Sequence, residues 1–179
     1  MLTRGIQSLN SFSRMMYFKN KYRKNLQLST KKQLIKYNTN IKIAKGATMS
    51  LHGIRTNDNV NLVSVSGSLT IGNGVSFNRN CIVICRKKIT IGDNCIFGPN
   101  VCIYDHDHLF SKTGIENNQY KSSEIIIEPG CWIGAGVIIL RGTHIGKNSV
   151  IGAGVVLKGK VPSNSLVTPD VKNKIIPIR

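Results

Sequence analysis

The amino-acid sequence predicts an all-β protein, a parallel β-helix whose short strands wind into a triangular coil. Three observations predict it: an apolar residue recurs every six positions, Gly or Asn follows three positions later, and a small side chain comes next. Neither an α-helix, with its period of 3.6, nor an alternating strand, with its period of 2, produces this spacing. Three such units make one coil of about 18 residues, and stacked coils bury a narrow core.

The apolar position defines the predicted core. It is occupied without interruption by Ile127, Ile133, Ile139, Ile145, Ile151 and Leu157. Upstream it is occupied by Ile91, Phe97 and Ile103, by Ile71, Phe77 and Val83, and more weakly by Ile43 and Met49. We expect these side chains to point into the coil.

The fourth and fifth positions predict the corners of the coil. The fourth is held by Gly46, Gly74, Asn80, Asn94, Asn100, Gly130, Gly136, Gly142, Asn148 and Gly154. Gly and Asn best tolerate the positive φ of a tight corner. The fifth is small and includes Cys81, Cys95 and Cys131. Because the five cysteines contain no CxxC pair, we interpret these three as core side chains, not as metal ligands or disulfide partners.

Composition and charge set the domain organisation. The 179 residues, 41% hydrophobic and 18% charged, indicate one folded domain with a tail. The net charge is +17, and residues 1–57 hold 12 Lys or Arg and no acid. We expect a basic N-terminal segment over 1–40, the β-helix over 41–165 and a C-terminal tail over 166–179. No apolar run is long enough to cross a membrane, and no signal-peptide pattern is present, so we expect a cytoplasmic protein.

The basic segment is predicted to be partly helical. An imperfect helical stripe is formed by Leu2, Ile6, Leu9, Ser13, Met16 and Phe18. Such a helix lies on an anionic membrane or caps a neighbouring element or subunit, and the sequence does not separate these alternatives. A basic segment also attracts polyanions such as nucleic acid or acidic polysaccharide, or is simply a solvated arm.

The repeat is interrupted at two places. Ile103 and Ile127 are 24 positions apart, so 18 additional residues leave the coil, and we expect a protruding loop at about 109–124. A two-residue bulge is expected around 86–88, because Val83 and Ile91 are eight positions apart. A loop that projects from a rigid scaffold is a usual place for function.

Two segments carry a resemblance to a known family. IGDNCIFGPNVCIYDHDH and, after the loop, IIIEPGCWIGAGVIILRGTHIGKNSVIGAGVVLKGKVPSN resemble the hexapeptide-repeat acyltransferases over about residues 65–165. The galactoside and maltose acetyltransferases and the O-acetyltransferases of capsules and other surface polysaccharides are the most similar branch. The resemblance implies a left-handed β-helix, a homotrimer with sites between neighbouring prisms, acetyl-CoA as donor, a sugar hydroxyl as acceptor and no metal.

The resemblance also implies the catalytic residues. It places His108 at the position of the general base, which takes the proton of the attacking hydroxyl. His106 falls at a corner position and is the alternative base, or a structural or acceptor contact. Asp105 would orient an imidazole, and Asp107 would do the same or contact the acceptor. His52 and His144 are interpreted as surface residues.

Donor and acceptor contacts follow from the same resemblance. Trp132 would lie near the donor or acceptor channel, or serve in packing. The donor would also be contacted by Ala135 near the thioester, by Ala153 along the pantetheine arm, and by Lys158, Lys160 and Lys174 at the phosphates. On the acceptor side, Asn78 matches a sugar-contacting Asn. Arg86 stands where the galactoside enzymes carry an acid, which suggests a different, acidic acceptor.

Several functions are open on the sequence alone. The leading one is acetyl transfer to a hydroxyl of a capsular, O-antigen or exopolysaccharide glycan or its lipid-linked precursor, at the inner face of the membrane. N-acetylation of an amino sugar is the alternative. A carbonic-anhydrase-like metal enzyme needs three convergent His ligands, and only His106 and His108 have a suitable spacing. A non-enzymatic polyanion binder lacks any nucleic-acid-binding motif.

Overall fold

The protein is described by a computed structural model over residues 2–29 and 33–170, with backbone alone for 2–10. A helix α1 (Leu2–Tyr22) and a 3-10 turn (Arg23–Asn25) precede a solenoid of parallel strands. Lys174 lies outside the described residues. Within the described part of the chain, no helix is long and apolar enough to cross a membrane.

Three parallel sheets form the faces of the solenoid. Sheet A contains β1 (Leu26–Leu28), β3 (Thr48–Leu51), β6 (Ser68–Ile71), β9 (Lys88–Ile91), β14 (Ile125–Ile127), β17 (His144–Ile145) and β20 (Lys160–Val161). Sheet B contains β4 (Arg55–Thr56), β7 (Ser76–Phe77), β10 (Ile96–Phe97), β15 (Trp132–Ile133), β18 (Val150–Ile151) and β21 (Leu166–Val167). Sheet C contains β2 (Asn40–Ile43), β5 (Asn61–Ser64), β8 (Ile82–Cys85), β11 (Cys102–Tyr104), β16 (Ile138–Leu140) and β19 (Val156–Leu157). The predicted coil of short parallel strands is therefore confirmed.

The core is built from the predicted inward positions. Every residue assigned to the apolar position is buried, and Phe77 and Phe97 stack with ring centroids 4.6 Å apart. Cys81, Cys95 and Cys131 are also buried, as predicted for the small position. Parallel pairing places equivalent residues of successive coils above one another, so each layer of the core repeats the layer below.

The corners also follow the prediction. All ten Gly and Asn residues assigned to the corner position have positive φ. The placement of His106 at such a corner is wrong: its φ is not positive, because the chain leaves the coil at Asp105 and His106 begins an extended strand.

The predicted loop is an antiparallel hairpin whose register shifts between His108 and Phe110. Its strands are β12 (His106–Ser111) and β13 (Gly114–Ser122), so it begins earlier than residue 109. The Ser123 N–H donates to the Asp105 carbonyl at 2.9 Å and closes the neck of the hairpin. Below the neck, β9 pairs directly with β14 and β11 with β16, so the coil continues as though nothing had been inserted.

The N-terminal segment is joined to the solenoid. Strand β1 pairs with β3, and β21 pairs with β18, so the solenoid extends beyond 41–165 at both ends. Helix α1 buries Ser11, Met15 and Phe18, whereas Ser13 and Met16 of the predicted stripe are exposed. That part of the predicted stripe is wrong, because the helix face formed by Ser11, Met15 and Phe18 is the one that packs against the solenoid. The Ser11 hydroxyl donates to the Ile35 carbonyl at 3.0 Å. The side chains of Leu2, Ile6 and Leu9 lie outside the described ones.

Candidate active site at the hairpin

A buried carboxylate anchors the base of the hairpin. Asp105 is fully buried, and its Oδ1 accepts the N–H of Arg86 at 2.8 Å. Its Oδ2 accepts the N–H groups of Lys87 and Lys88 at 2.7 and 2.9 Å. The carboxylate therefore satisfies three backbone donors of the corner at which the two-residue bulge was predicted. This accounts for an acidic residue in the core, and the sequence did not reveal it.

Asp105 also orients the first histidine. Its Oδ1 lies 3.1 Å from Nδ1 of His106, whose side chain is only 12% exposed. The rings of Tyr104 and Tyr120 meet the imidazole edge-on, with centroids 6.4 and 5.6 Å away. A proton on Nδ1 donates to the carboxylate and leaves Nε2 as the basic nitrogen.

The second histidine is accessible. His108 is exposed and lies two residues further along β12, and therefore on the same face as His106. It pairs across the hairpin with Tyr120, and the two rings are 4.7 Å apart. Tyr120 thus lies against both histidines. No sequence pattern pointed to this tyrosine, because the pairing of β12 with β13 was not predicted.

Asp107 points to a different partner. Its Oδ2 accepts from Nε of Arg141 at 2.5 Å, and Arg141 follows β16 in the next coil. Because this ion pair occupies the carboxylate, the structure favours an anchoring role over the predicted acceptor contact. Arg141 is a second residue that the sequence did not reveal.

Arg86 belongs to the same site. It lies at the corner between β8 and β9, and its Cζ is 3.4 Å from the centroid of the Tyr120 ring. His144 lies elsewhere, half exposed, with Nε2 2.7 Å from Glu128 Oε1. Exposed His52 likewise lies away from the hairpin.

The predicted donor contacts form a separate group. Ala135 and Ala153 are exposed at successive corners between sheets B and C, joined by the Gly154 N–H donating to the Ala135 carbonyl at 2.8 Å. Exposed Asn78 lies in the same row of corners, and Trp132 is 55% exposed on sheet B. The histidines lie at the opposite edge of sheet C. A strand rises ~3.3 Å per residue, so crossing the sheet from the row of Ala135 and Ala153 to the histidines covers about 15 Å. One chain does not bring the two groups together.

The two described lysines predicted to contact the phosphates lie apart from the other predicted donor contacts. Lys158 is exposed near the corner between sheets C and A, and Lys160 is exposed on sheet A. They are not in the row that contains Ala135 and Ala153.

The thiol beside the site is not a nucleophile. Cys85 Sγ lies 3.5 Å from Asp105 Oδ2, and burial together with this carboxylate raises the pKa of Cys85 to about 12. A protonated, buried thiol cannot accept an acyl group at neutral pH. Among the described residues, no three His, Cys, Asp or Glu side chains are grouped as metal ligands.

Two family models match the coils on either side of the hairpin. "Bacterial transferase hexapeptide (six repeats)" matches residues 124–159, and "Hexapeptide repeat of succinyl-transferase" matches residues 88–103. The chain carries the hexapeptide repeat of bacterial transferases. The hairpin with the two histidines therefore interrupts a transferase repeat.

Relatives of this hexapeptide chain include named acetyltransferases. A galactoside O-acetyltransferase of Lactococcus lactis is 39% identical over 58% of this chain and 52% of its own length. The putative lipopolysaccharide biosynthesis O-acetyl transferase WbbJ of Escherichia coli is 29% identical over 62% of this chain and 60% of its own length. The chain thus spans about half the length of the curated relatives it matches.

A solved structure shares the hexapeptide fold. AntD, an N-acyltransferase from Bacillus cereus solved with a dTDP-amino sugar and coenzyme A, has a TM-score of 0.66 and 18% identity, covering 92% of this chain and 90% of its own. This likeness supports the architecture of the solenoid.

Proposed function

We propose that this protein is an acetyl-CoA-dependent O-acetyltransferase acting on a sugar hydroxyl of a cell-surface glycan or its precursor. The observation that carries the proposal is the exposed His108 beside Tyr120, on a hairpin that interrupts a transferase hexapeptide repeat. Relatives named O-acetyltransferases, one of them for lipopolysaccharide biosynthesis, support the choice of hydroxyl and acceptor class.

In this mechanism His108 acts as the general base. Its neutral imidazole accepts the hydroxyl proton as the sugar oxygen attacks the acetyl carbonyl carbon of the thioester. The C–S bond then breaks, and the imidazolium returns the proton to the departing CoA sulfur. Transfer is direct in this proposal, and the Cys85 thiol, whose pKa burial and Asp105 raise to about 12, does not carry the acetyl group. General-base help of this kind is worth about 10²–10⁴ in rate.

His106 has a supporting role in the proposal. Its contact with buried Asp105 fixes the ring, and its low exposure leaves less access for an acceptor than His108 has. It positions Tyr120, and through it His108.

A second copy of the chain completes the proposed site. Because sheet C separates the histidines from Ala135 and Ala153, the acetyl donor bound along that row would be reached by His108 of a neighbour. A homotrimer with cyclic symmetry gives three equivalent sites of this kind. The exposed apolar side chains of Ile96, Trp132 and Leu166 on sheet B support a covered surface there.

We place the protein in the cytoplasm, in peripheral contact with the inner membrane surface. Phe12, Tyr17 and Tyr37 are 68%, 59% and 84% exposed near the N-terminal end of the solenoid. The Arg14 guanidinium and the Lys21 ammonium lie 5.4 and 5.7 Å from the rings of Tyr37 and Tyr17. Exposed aromatic rings among cations favour an anionic lipid surface.

The function is tested with purified protein, acetyl-CoA and matched pairs of sugars and amino sugars. We expect acceptor-dependent release of CoA and a product that gains one acetyl ester, cleaved by mild base. An amide product formed only with amino sugars would support N-acetylation instead. If no sugar increases CoA release above its hydrolysis rate, the proposed function is wrong.

A further inference from the structure

The corner residue Arg86 is held rigidly at the base of the hairpin. Its N–H donates to Oδ1 of buried Asp105, and the next two N–H groups donate to Oδ2 of the same carboxylate. The backbone from which the guanidinium extends is therefore fixed by three hydrogen bonds. A charge on a fixed backbone loses little freedom when it binds a ligand.

The guanidinium is also fixed, by an aromatic platform. Arg86 Cζ lies 3.4 Å from the centroid of Tyr120, which is within the range of a cation–π contact. The rings of His106 and His108 lie 5.6 and 4.7 Å from the same tyrosine. Tyr120 thus connects the cation to the candidate base.

The positive charge of Arg86 is not neutralised by a partner. Its Nε is buried without a hydrogen-bond partner in the described part of the chain, and no described carboxylate forms an ion pair with the guanidinium. The neighbouring cations do have acidic partners. Arg141 pairs with Asp107, and Lys88 Nζ lies 3.4 Å from Glu124 Oε2. Because no described carboxylate holds the guanidinium, its terminal N–H groups can donate to a bound anion.

We propose that Arg86, stacked on Tyr120, binds an anionic group of the acceptor, so that the enzyme selects sugars carrying a carboxylate or a phosphate. The planar guanidinium offers a fork of N–H donors that matches both groups. The anion would be held beside the hydroxyl that faces His108. This proposal rests on the proposed acetyltransferase function and names its substrate class.

The test compares glucose, glucuronic acid and glucose 1-phosphate, which differ in charge and in the source of the anion. Wild type should use at least one anionic sugar about 10- to 100-fold better in kcat/KM than glucose, the range for a charge-assisted hydrogen bond. Arg86→Gln should remove that preference, so that the ratio of kcat/KM for the anionic sugar to kcat/KM for glucose falls to about 1 whatever the absolute rates. Arg86→Lys should restore part of it, since it keeps the charge without the fork. Lys45→Gln, an equal loss of charge at an exposed residue between β2 and β3, should change nothing.

A second readout separates this proposal from the proposed function. Binding of the three sugars is measured by saturation-transfer NMR without acetyl-CoA, so it does not require turnover. Selective binding of an anionic sugar that is lost in Arg86→Gln supports the proposal even if no acetylation occurs. The proposal is overturned if wild type shows no preference for either anion in binding. It is also overturned if Arg86→Gln raises KM for acetyl-CoA alone, because the anion would then belong to the donor.

Discussion

Asp107 and Arg141 are 34 positions apart in the sequence, yet their side chains form an ion pair between the hairpin and the next coil. Asp107 lies between the two histidines on β12, with its side chain directed to the solenoid instead of to their face. The Arg141 side chain is 15% exposed and the Asp107 side chain 43%, so the pair is shielded on its arginine side only. The ion pair therefore holds the histidine strand against the coil.

Breaking this ion pair should misplace the base without unfolding the solenoid. We expect Arg141→Met to lower kcat/KM by about 10- to 100-fold, since small displacements of a catalytic group have effects of that size. The charge-reversed double variant, Asp107→Arg with Arg141→Asp, should recover part of the loss. Kinetics and circular dichroism of Asp107→Arg, Arg141→Asp and the double variant form the cycle. Additive losses in the double variant would show that the pair does not act as a unit.

Removing the base should have the larger effect of the two histidine substitutions. His108→Ala should lower kcat by about 10²–10⁴-fold. His106→Ala should lower it less, because His106 only supports Tyr120. Steady-state kinetics, with the oligomeric mass as a control for folding, distinguish the two. If His106→Ala is the more damaging, the histidine oriented by Asp105 is the base, and the assignment to His108 is wrong.

Mixing two inactive variants tests whether the site is shared between copies. His108→Ala removes the base, and Ala135→Trp fills the corner proposed to meet the donor. Subunits mixed in equal amounts and reassembled should regain about a quarter of wild-type activity, since that share of sites receives both intact residues in a cyclic trimer. The control is each variant reassembled with itself, which should remain inactive.

The same assembly can be measured directly. Light scattering of the wild type should give a mass about three times 19.7 kDa. A fully active monomer, or mixtures that regain no activity, would contradict a site shared between copies.

The exposed rings near the N-terminus should determine membrane binding. Wild type should co-sediment with vesicles containing anionic phosphatidylglycerol, and raising the salt concentration should weaken binding, because screening shortens electrostatic attraction to ~10 Å at 0.1 M. Phe12→Ser with Tyr17→Ser should reduce binding to these vesicles and leave acetylation of a soluble sugar unchanged. Neutral phosphatidylcholine vesicles are the control. Equal binding to both vesicle types would contradict the proposed contact.

The solenoid was predictable because residues close together in the sequence determine each of its strands and corners. Each residue such as Ile133 or Gly136 repeats the role of the residue six positions earlier, so the period alone identifies the core and the corners. The hairpin has no such period. Its register, which pairs His108 with Tyr120, depends on contacts between segments that the sequence pattern does not connect.

The error at His106 has the same cause. The sequence placed it at a corner by counting sixes, but the chain departs from the coil one residue earlier, at buried Asp105. Tyr120 and Arg141 were missed because each acts only through a partner distant in sequence. The candidate site is thus predictable where it follows the repeat and not where it depends on tertiary contacts.

The closed neck of the hairpin separates two kinds of evolutionary change. Because Ser123 bonds to Asp105 and the strands below pair without a gap, residues 109–119 beyond the pair of His108 with Tyr120 can be exchanged or lengthened while every coil keeps its register. The solenoid thus acts as a fixed scaffold, and the outer part of the hairpin can vary without changing it. Descendants of one such chain can therefore change 11 contiguous residues of the outer hairpin and keep the base, Tyr120 and the core in place.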